Sequence, residues 1–497
     1  MRLIWSSDDA HFILFVMITP DTLGRFRDAL PAGRVVEDPN LIAPWTTDWR
    51  GKYHGAAAAM LVPRSTEEVA TIVRLAATHG VALVPQGGNT SMVGGATPPP
   101  DGRALILSMR GMNQIRSIDA EASLAVCEAG VILQTLHEAA NAAGRRFPLS
   151  LGAKGAATIG GLISTNAGGT QVLRHGTMRA QVEGLEAVLP DGNIYNGLAA
   201  LKKDNRGYDL RHMLIGAEGT IGVITAASLR LVPAIAARVV TWAGIDSPQQ
   251  ALALLRHMDS ALGDAVEGFE VVADDLLDVV VKEIEGARRP LESPAAWHAL
   301  IEAVTDDSAE AEALKERVEA ALASAFEQGI ISDAAIASSD SQAEALWLLR
   351  ESVSIAERAQ GPAVQFDVSV PVSDMPSFMI DARAACEQAF PGTSATSYGH
   401  LGDGNIHFHV RPPRDPADRG AAWVASNGAA VSSFINDRVA AMGGSISAEH
   451  GIGQMKVGEL ARLASPARLA ALRAIKGALD PAGIMNPGKL VPLATPA

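Results

Sequence analysis

The stretch VALVPQGGNTSMVGGATP, residues 81–98, decides how the first half of this sequence folds. Val81 to Val84 form a short apolar, strand-like run, and the loop after it carries Gly87, Gly88, Gly94 and Gly95. No G-x-G-x-x-G pattern opens a helix directly afterwards, so the order of elements is not that of a Rossmann dinucleotide fold. A second glycine-rich tract, LGAKGAATIGGLISTNAGGTQ, spans residues 151–171, and a third, LIGAEGTIGVIT, spans 214–225. Glycine permits close approach and positive φ, so three such tracts in close succession imply a backbone brought repeatedly against something large and flat or anionic. One tract alone is explained by tight turns. The three together, with Asn89, Thr90, Thr165, Asn166 and Thr220 to supply hydroxyl and amide groups, point to a cofactor containing a pyrophosphate.

Working outward, STEEVATIVRLAATHG (residues 65–80) reads as a capped helix: Ser65 precedes Glu68 by three positions, apolar residues recur at helical spacing, and Gly80 ends it. Strand-like runs ALILSM, LAVCEAG, EGLEAVLPDG and IGVITAASLRLV lie between the glycine tracts, giving an α+β domain over residues 55–233 after an N-terminal segment, 1–54. Past Pro233 glycine thins out. The runs RVVTWAGI, EGFEVV and WHALIEAV alternate with helical runs at 249–262, 274–284 and 309–327, which predicts a second, α/β layer domain over 234–445 that caps the first. The tail, 446–497, reads as helices ended at Asp480-Pro481.

The 497 residues, 48% of them hydrophobic, exceed the usual size of one core. The net charge of −14 and the absence of a long Lys/Arg run argue against a nucleic-acid partner. Two cysteines, Cys127 and Cys386, form neither a disulfide framework nor a metal-type spacing, and suggest a reducing, cytoplasmic setting. The apolar run HFILFVMI at 11–18 is far shorter than the roughly 20 residues of a membrane span and lacks signal-peptide flanks. Met17 is expected to be the true start.

Late in the chain, YGHLGDGNIHFHV (398–410) packs three histidines among three glycines. Alternation puts Ile406, Phe408 and Val410 on one strand face and His407 with His409 on the other, while His400 enters from the preceding turn. Glu449 and His450, in ISAEHGIG, could add a carboxylate ligand and a base to a divalent-metal site. Arg350 and Ser354 lie at i and i+4 of a helix, where a guanidinium beside a hydroxyl suits a carboxylate. Each feature alone has a bland reading: ordinary strand histidines, and a solvated helix arginine.

The order PQGGNTSMVGG, LGAKGAATIGGLISTNAGG, LKKDNRGYDLRHMLIGAEGTIGVIT, YGHLGDGNIHFHV, SAEHGIG and DPAGIMNPGKL resembles the FAD-linked oxidases of the vanillyl-alcohol oxidase and p-cresol methylhydroxylase (PCMH) fold, in their D-2-hydroxyglutarate and D-lactate dehydrogenase branch. The resemblance runs over residues 45–492 and implies a two-subdomain PCMH-type FAD-binding domain, an α/β substrate cap and a C-terminal segment that returns to the flavin side. FAD contacts would come from Pro85, Gln86, Gly87, Gly88, Asn89, Thr90, Gly94 and Gly95; from Leu151, Gly152, Thr158, Gly161, Thr165, Asn166, Gly168 and Gly169; and from Glu218, Gly219, Ile224 and Asn486. Asn89 stands where covalent-flavin relatives carry histidine, so noncovalent FAD is implied. His400, His407 and Glu449 would hold zinc or manganese, His450 would be the base, and Arg350, Ser354, Gln365, Asn405 and His409 would face the substrate. The implied reaction takes D-2-hydroxyglutarate to 2-oxoglutarate, with hydride transfer to flavin N5.

Two positions depart from the hydroxyglutarate pattern: Gln365 in place of lysine, and His409 in place of asparagine. Loss of the ammonium removes a charge-assisted contact of about 1.5–3 kcal/mol from any anion it met. A D-lactate or glycolate dehydrogenase is therefore the alternative, and a colourless metal-dependent hydrolase is the reading outside flavin chemistry. No electron-acceptor motif is present; electron-transfer flavoprotein or a quinone is the acceptor the resemblance suggests, with a homodimer as the assembly.

Overall fold

A computed structural model describes residues 18–415 and 418–492. The start expected at Met17, and all of its apolar run but Ile18, lie outside the described residues. The helix Thr66–His79 forms as its sequence dictates: the Ser65 hydroxyl accepts the Glu68 N–H, and Gly80 closes the helix at φ 64°. Its buried face, with Val69, Ile72, Val73 and Ala76, lies in the larger of two cores. The strand Ala82–Gln86 then pairs parallel with Ala104–Ser108, and the glycine loop between them contains no helix. These strands belong to a four-stranded sheet; a five-stranded antiparallel sheet, with Val223–Arg230 at its centre, shares the same core.

Segments near both ends of the described residues join that core. Phe26, on the helix Pro20–Ala29, is fully buried in it. At the other end Ile484 and Met485 enter it, and Leu83 exchanges backbone hydrogen bonds of 2.8 Å with Ile484 and Asn486.

The cap is built on a seven-stranded antiparallel sheet in the order Asp333–Ile336, Ala237–Ile245, Trp297–Thr305, Val266–Ala273, Ser394–His400, Asn405–Arg411, Val364–Ser369. One face carries Val271, Ala299, Phe366, Ile406 and Phe408 beneath helices that include Pro248–Leu262 and Met375–Ala389. The other face is apolar only in part, where Trp242, Val272 and Leu300 meet the helices Asp274–Glu283 and Asp340–Glu351. The remainder of that face is polar. The helix expected to carry both Arg350 and Ser354 is interrupted by a turn at Ser352, so Arg350 ends one helix and Ser354 lies on the next, Val353–Ala359. No helix among the described residues is long and apolar enough to cross a membrane.

Candidate active site

The period of two along each strand gathers the polar residues on one side of the sheet. Gln365 and Asp367, then His409, His407 and Asn405, then Tyr398 and His400, and finally Glu270 follow one another across four neighbouring strands in the register Gln365↔His409, Asp367↔His407, Tyr398↔His407 and Glu270↔His400. The C-terminal segment lays Glu449 and His450 over them: both backbone N–H groups donate to Asp367 Oδ2, at 3.0 and 2.9 Å.

His400, His407 and Glu449 form one cluster, with one ligand atom from each within 4.8 Å of the others. His400 Nδ1 donates to Glu270 Oε1, 2.5 Å away, and its Nε2 lies 3.9 Å from Glu449 Oε1. Burial disfavours charge on His400, but the facing Glu270 carboxylate overrides it and lifts the imidazole to about 9. Burial, together with that neighbouring charge, holds His407 well below the ordinary imidazole range. Burial raises Glu449 to about 7.

His450 is set apart by a different partner. Its Nδ1 lies 3.3 Å from Asp367 Oδ2, and burial pushes the imidazole down to about 4, so the neutral ring has a basic nitrogen available. Asp367, only 3% exposed, stays ionised despite burial because His450 and Lys456 face it, and Asn405 Nδ2 donates to its other oxygen at 2.8 Å. Arg350 is also buried. Its Nε donates to Glu270 Oε2 at 2.7 Å, its guanidinium covers the Tyr398 ring at 4.8 Å, and its Nη2 has no partner among the described residues.

Several side chains expected at the substrate or cofactor are engaged elsewhere. His409 is turned to an ion pair with Glu357, which Arg411 also meets at 3.0 Å. Asn405 is held by Asp367 and the Val368 carbonyl, and Ser354 is exposed with no group of the site at its hydroxyl. Around the glycine tracts, Gln86 donates to Trp45 O and Ala96 O, Asn89 to Thr47 O, Asn486 to Gly95 O and Glu218 O, Thr165 to Gly161 O and Thr220 to Ala217 O. Thr158 caps the Gly161 N–H, Asn166 accepts from the Arg179 N–H, and the Glu218 carboxylate accepts from the Ile452 and Gly453 N–H groups. Ile224 is a core residue. These amide and hydroxyl groups tie the loops to one another, while Gln86 Oε1 and Asn486 Oδ1 are buried with no partner among the described residues.

What the loops leave open is backbone. Among the described residues no acceptor meets the N–H of Gly87, Gly88, Asn89, Thr90, Ser91 or Met92, and Asn89 sits at φ 54°. Successive free N–H groups bent through a positive φ form an anion-binding concavity. Gly87 and Gly88 let the loop close on the second tract: a Cβ on Gly88 would lie 1.8 Å from Ala156 O. Gly152 faces open space, and Gly168 borders the site, its notional Cβ 3.6 Å from Glu449. These residues fit a pyrophosphate-bearing flavin.

A two-part glycine-loop domain under a sheet cap, with a histidine and carboxylate cluster between them, defines a flavin-dependent oxidoreductase of the PCMH fold. Residues 57–197 match the FAD binding domain family, and residues 235–490 match the family described as FAD linked oxidases, C-terminal domain. The chain is 35% identical to the mitochondrial D-2-hydroxyglutarate dehydrogenase of Arabidopsis thaliana, over 96% of this chain and 83% of that one. To the Bos taurus enzyme of the same name it is 36% identical, over 96% and 85%. The solved structure of p-cresol methylhydroxylase with substrate bound superposes with a TM-score of 0.70 at 16% identity, covering 96% of this chain and 98% of that one. The chain belongs to the FAD-linked oxidase family.

The cytoplasmic expectation does not stand against these relatives, which carry mitochondrial in their names. Sparse, unpaired cysteines report a reducing environment, not which reducing compartment. Both cysteines are buried and free.

Sequence reasoning missed Glu270 and the part Asp367 plays. Alternation sets Glu270 opposite Phe269 and Val271, and Asp367 opposite Phe366 and Val368, which places both acids on the face away from those apolar residues.

Proposed function

We propose that this chain oxidises D-2-hydroxyglutarate to 2-oxoglutarate with noncovalently bound FAD. The observation that carries the reading is the pairing of His450 with Asp367 beside the His400, His407 and Glu449 cluster, on the face of the cap turned to the glycine loops. His450 takes the proton of the substrate's C2 hydroxyl on Nε2, while Asp367 at Nδ1 orients the ring and offsets the charge it gains. Arg350, with an unused Nη2 and a position fixed by Glu270, holds the carboxylate next to C2. Bound FAD supplies the acceptor for the hydride leaving C2. A divalent cation, zinc or manganese, suits the two imidazoles and one carboxylate of the cluster and would supply Lewis acidity toward the substrate's oxygens. The electrons then pass to electron-transfer flavoprotein or a quinone, and the enzyme works as a homodimer.

Gln365 supports a second reading. Its amide lies on the site face, neutral and without a hydrogen bond to the chain, which suits a substrate with an uncharged side chain such as D-lactate, or glycolate. An anaerobic visible spectrum of the metal-replete protein, before and after each acid, tests both. Bleaching of the flavin band by D-2-hydroxyglutarate, and its loss after chelation with return on adding zinc or manganese, is the expected result. Bleaching by monocarboxylates alone would move the enzyme to the second reading.

A further inference from the structure

The turn at residues 47–54 precedes the first glycine loop in sequence, yet it reaches from that loop to the cap. Asn89 Nδ2 donates to the Thr47 carbonyl at 2.9 Å, and Tyr53 lies so close to Gly94 that a Cβ there would come within 2.9 Å of its ring. Asp48, 4% exposed, fixes the turn by accepting the Arg50 N–H at 3.2 Å and the Tyr53 N–H at 2.6 Å. On its outer side the turn meets the cap helix Val353–Ala359, whose Arg358 guanidinium stacks over Trp49 at 4.5 Å.

Arg50 sits at the tip of this turn, half-buried, within electrostatic reach of Asp367, Tyr398, His450 and Lys456. Among the described residues its guanidinium makes no hydrogen bond and no ion pair. Asp367 does not serve it, because the Asp367 carboxylate is already occupied by the Glu449 and His450 N–H groups and by Asn405. A guanidinium drawn out of bulk water without an acceptor is costly, and an anionic guest would relieve that cost. The site therefore offers two guanidinium groups near Tyr398, Arg350 on the ring face and Arg50 from the turn. A hydroxy acid with carboxylates at both ends has one for each.

We propose that Arg50 binds the distal carboxylate of the substrate, so that the turn at residues 47–54 selects for dicarboxylates while Gln365 contributes no charge. The inference rests on the D-2-hydroxy acid reading above and names the residue that sets the substrate's far end.

The test compares Arg50→Met and Arg50→Lys with the unaltered holoenzyme, using anaerobic flavin reduction and calorimetric binding. The substrates are D-2-hydroxyglutarate and D-2-hydroxyvalerate, which has the same chain length but a methyl in place of the distal carboxylate. Arg50→Met is expected to weaken D-2-hydroxyglutarate binding by about ten- to a hundredfold, the loss of one charge-assisted contact. It should leave D-2-hydroxyvalerate within about twofold, with Arg50→Lys recovering part of the loss. Unchanged D-2-hydroxyvalerate reduction and flavin content show that the variant is folded. An equal loss for both substrates, or no loss for either, overturns the role of Arg50 and leaves the D-2-hydroxyglutarate reading standing. If the unaltered enzyme itself fails to bind D-2-hydroxyglutarate, that reading fails, and the Arg50 inference with it.

Discussion

Replacing Asp367 by asparagine separates the charge of the His450 partner from its shape. Oδ2 of Asp367 receives two backbone N–H groups, at 3.0 and 2.9 Å, and faces His450 Nδ1 at 3.3 Å, while Oδ1 receives Asn405 Nδ2 at 2.8 Å. An amide has one oxygen, so however it is turned its NH2 group confronts at least one of these donors. Each buried donor left unpaired costs about 1–3 kcal/mol. Asn405 offers partial relief, because its Oδ1 is buried and unpartnered and a flip would point that oxygen at the new NH2. The expected loss of stability is therefore at the lower end, about 1–2 kcal/mol.

The loss in turnover should be larger. Without the carboxylate, the imidazolium formed when His450 takes the hydroxyl proton has no counter-charge at Nδ1, and the ring is no longer held in one tautomer. General-base assistance is worth about 10²–10⁴ in rate, and we expect the rate of flavin reduction to fall by roughly 10²–10³. Asp367 has no part in holding substrate, so the concentration for half-maximal rate should change by no more than a few-fold. Anaerobic stopped-flow at the flavin band, with flavin content and thermal melting measured in parallel, reads all three quantities. An Asp367→Asn protein that retains its flavin and reduces it within about threefold of the unaltered rate would refute the His450–Asp367 assignment.

Gly88→Ala places a methyl 1.8 Å from the Ala156 carbonyl oxygen, a backbone clash that no rotamer relieves; the expected product is a folded but colourless protein, read as the flavin-to-protein ratio after purification. Glu270→Gln weakens the acceptor that serves both His400, at 2.5 Å, and Arg350, at 2.7 Å, and, on the proposed metal reading, should lower zinc affinity by about ten- to a hundredfold in equilibrium dialysis. Glu302, in the cap sheet, is raised from the ordinary 4.5 to about 7 by burial and by nearby Glu267, with Arg238 opposing. Its native pKa exceeds its unfolded one, so its contribution is intact below about pH 4.5 and is lost as pH rises through 7. Glu302→Gln removes that penalty: its melting advantage over the unaltered protein should widen from about pH 5 to pH 8 and reach roughly 3 kcal/mol, and a constant difference across that range would contradict the assignment.

How much of this was readable from sequence depended on whether a residue's task is set by its own backbone or by a distant partner. Gly88 is legible because only glycine tolerates the approach of the Ala156 carbonyl, as Gly87 tolerates that of Thr158, and that demand is written at the positions themselves. Asn89, Asn166 and Thr220 read from sequence as suited to a ligand, and their bonds to Thr47, Arg179 and Ala217 were not readable, because nothing local distinguishes an amide that holds a cofactor from one that holds a loop. The strands of the cap's sheet were legible from periodicity, whereas the return of residues 484–486 to the first core was not, since it depends on partners such as Leu83 with Ile484.

The two histidines of GNIHFHV make the same point within a single strand. His407 and His409 share a face by alternation, and on sequence both were assigned to the site. One pair further along the sheet, His409 meets Glu357 from the helix Val353–Ala359, while His407 lies opposite Asp367 and Tyr398 and within ligand distance of His400 and Glu449. Acids that arrive from elsewhere in the chain therefore sort the histidines into one held by Glu357 and a cluster that faces Glu449. Glu270, 130 residues before His400, does the same for that ring, leaving Nε2 to face Glu449. The histidine-rich strand supplies the groups, and the remote carboxylates decide which of them can act.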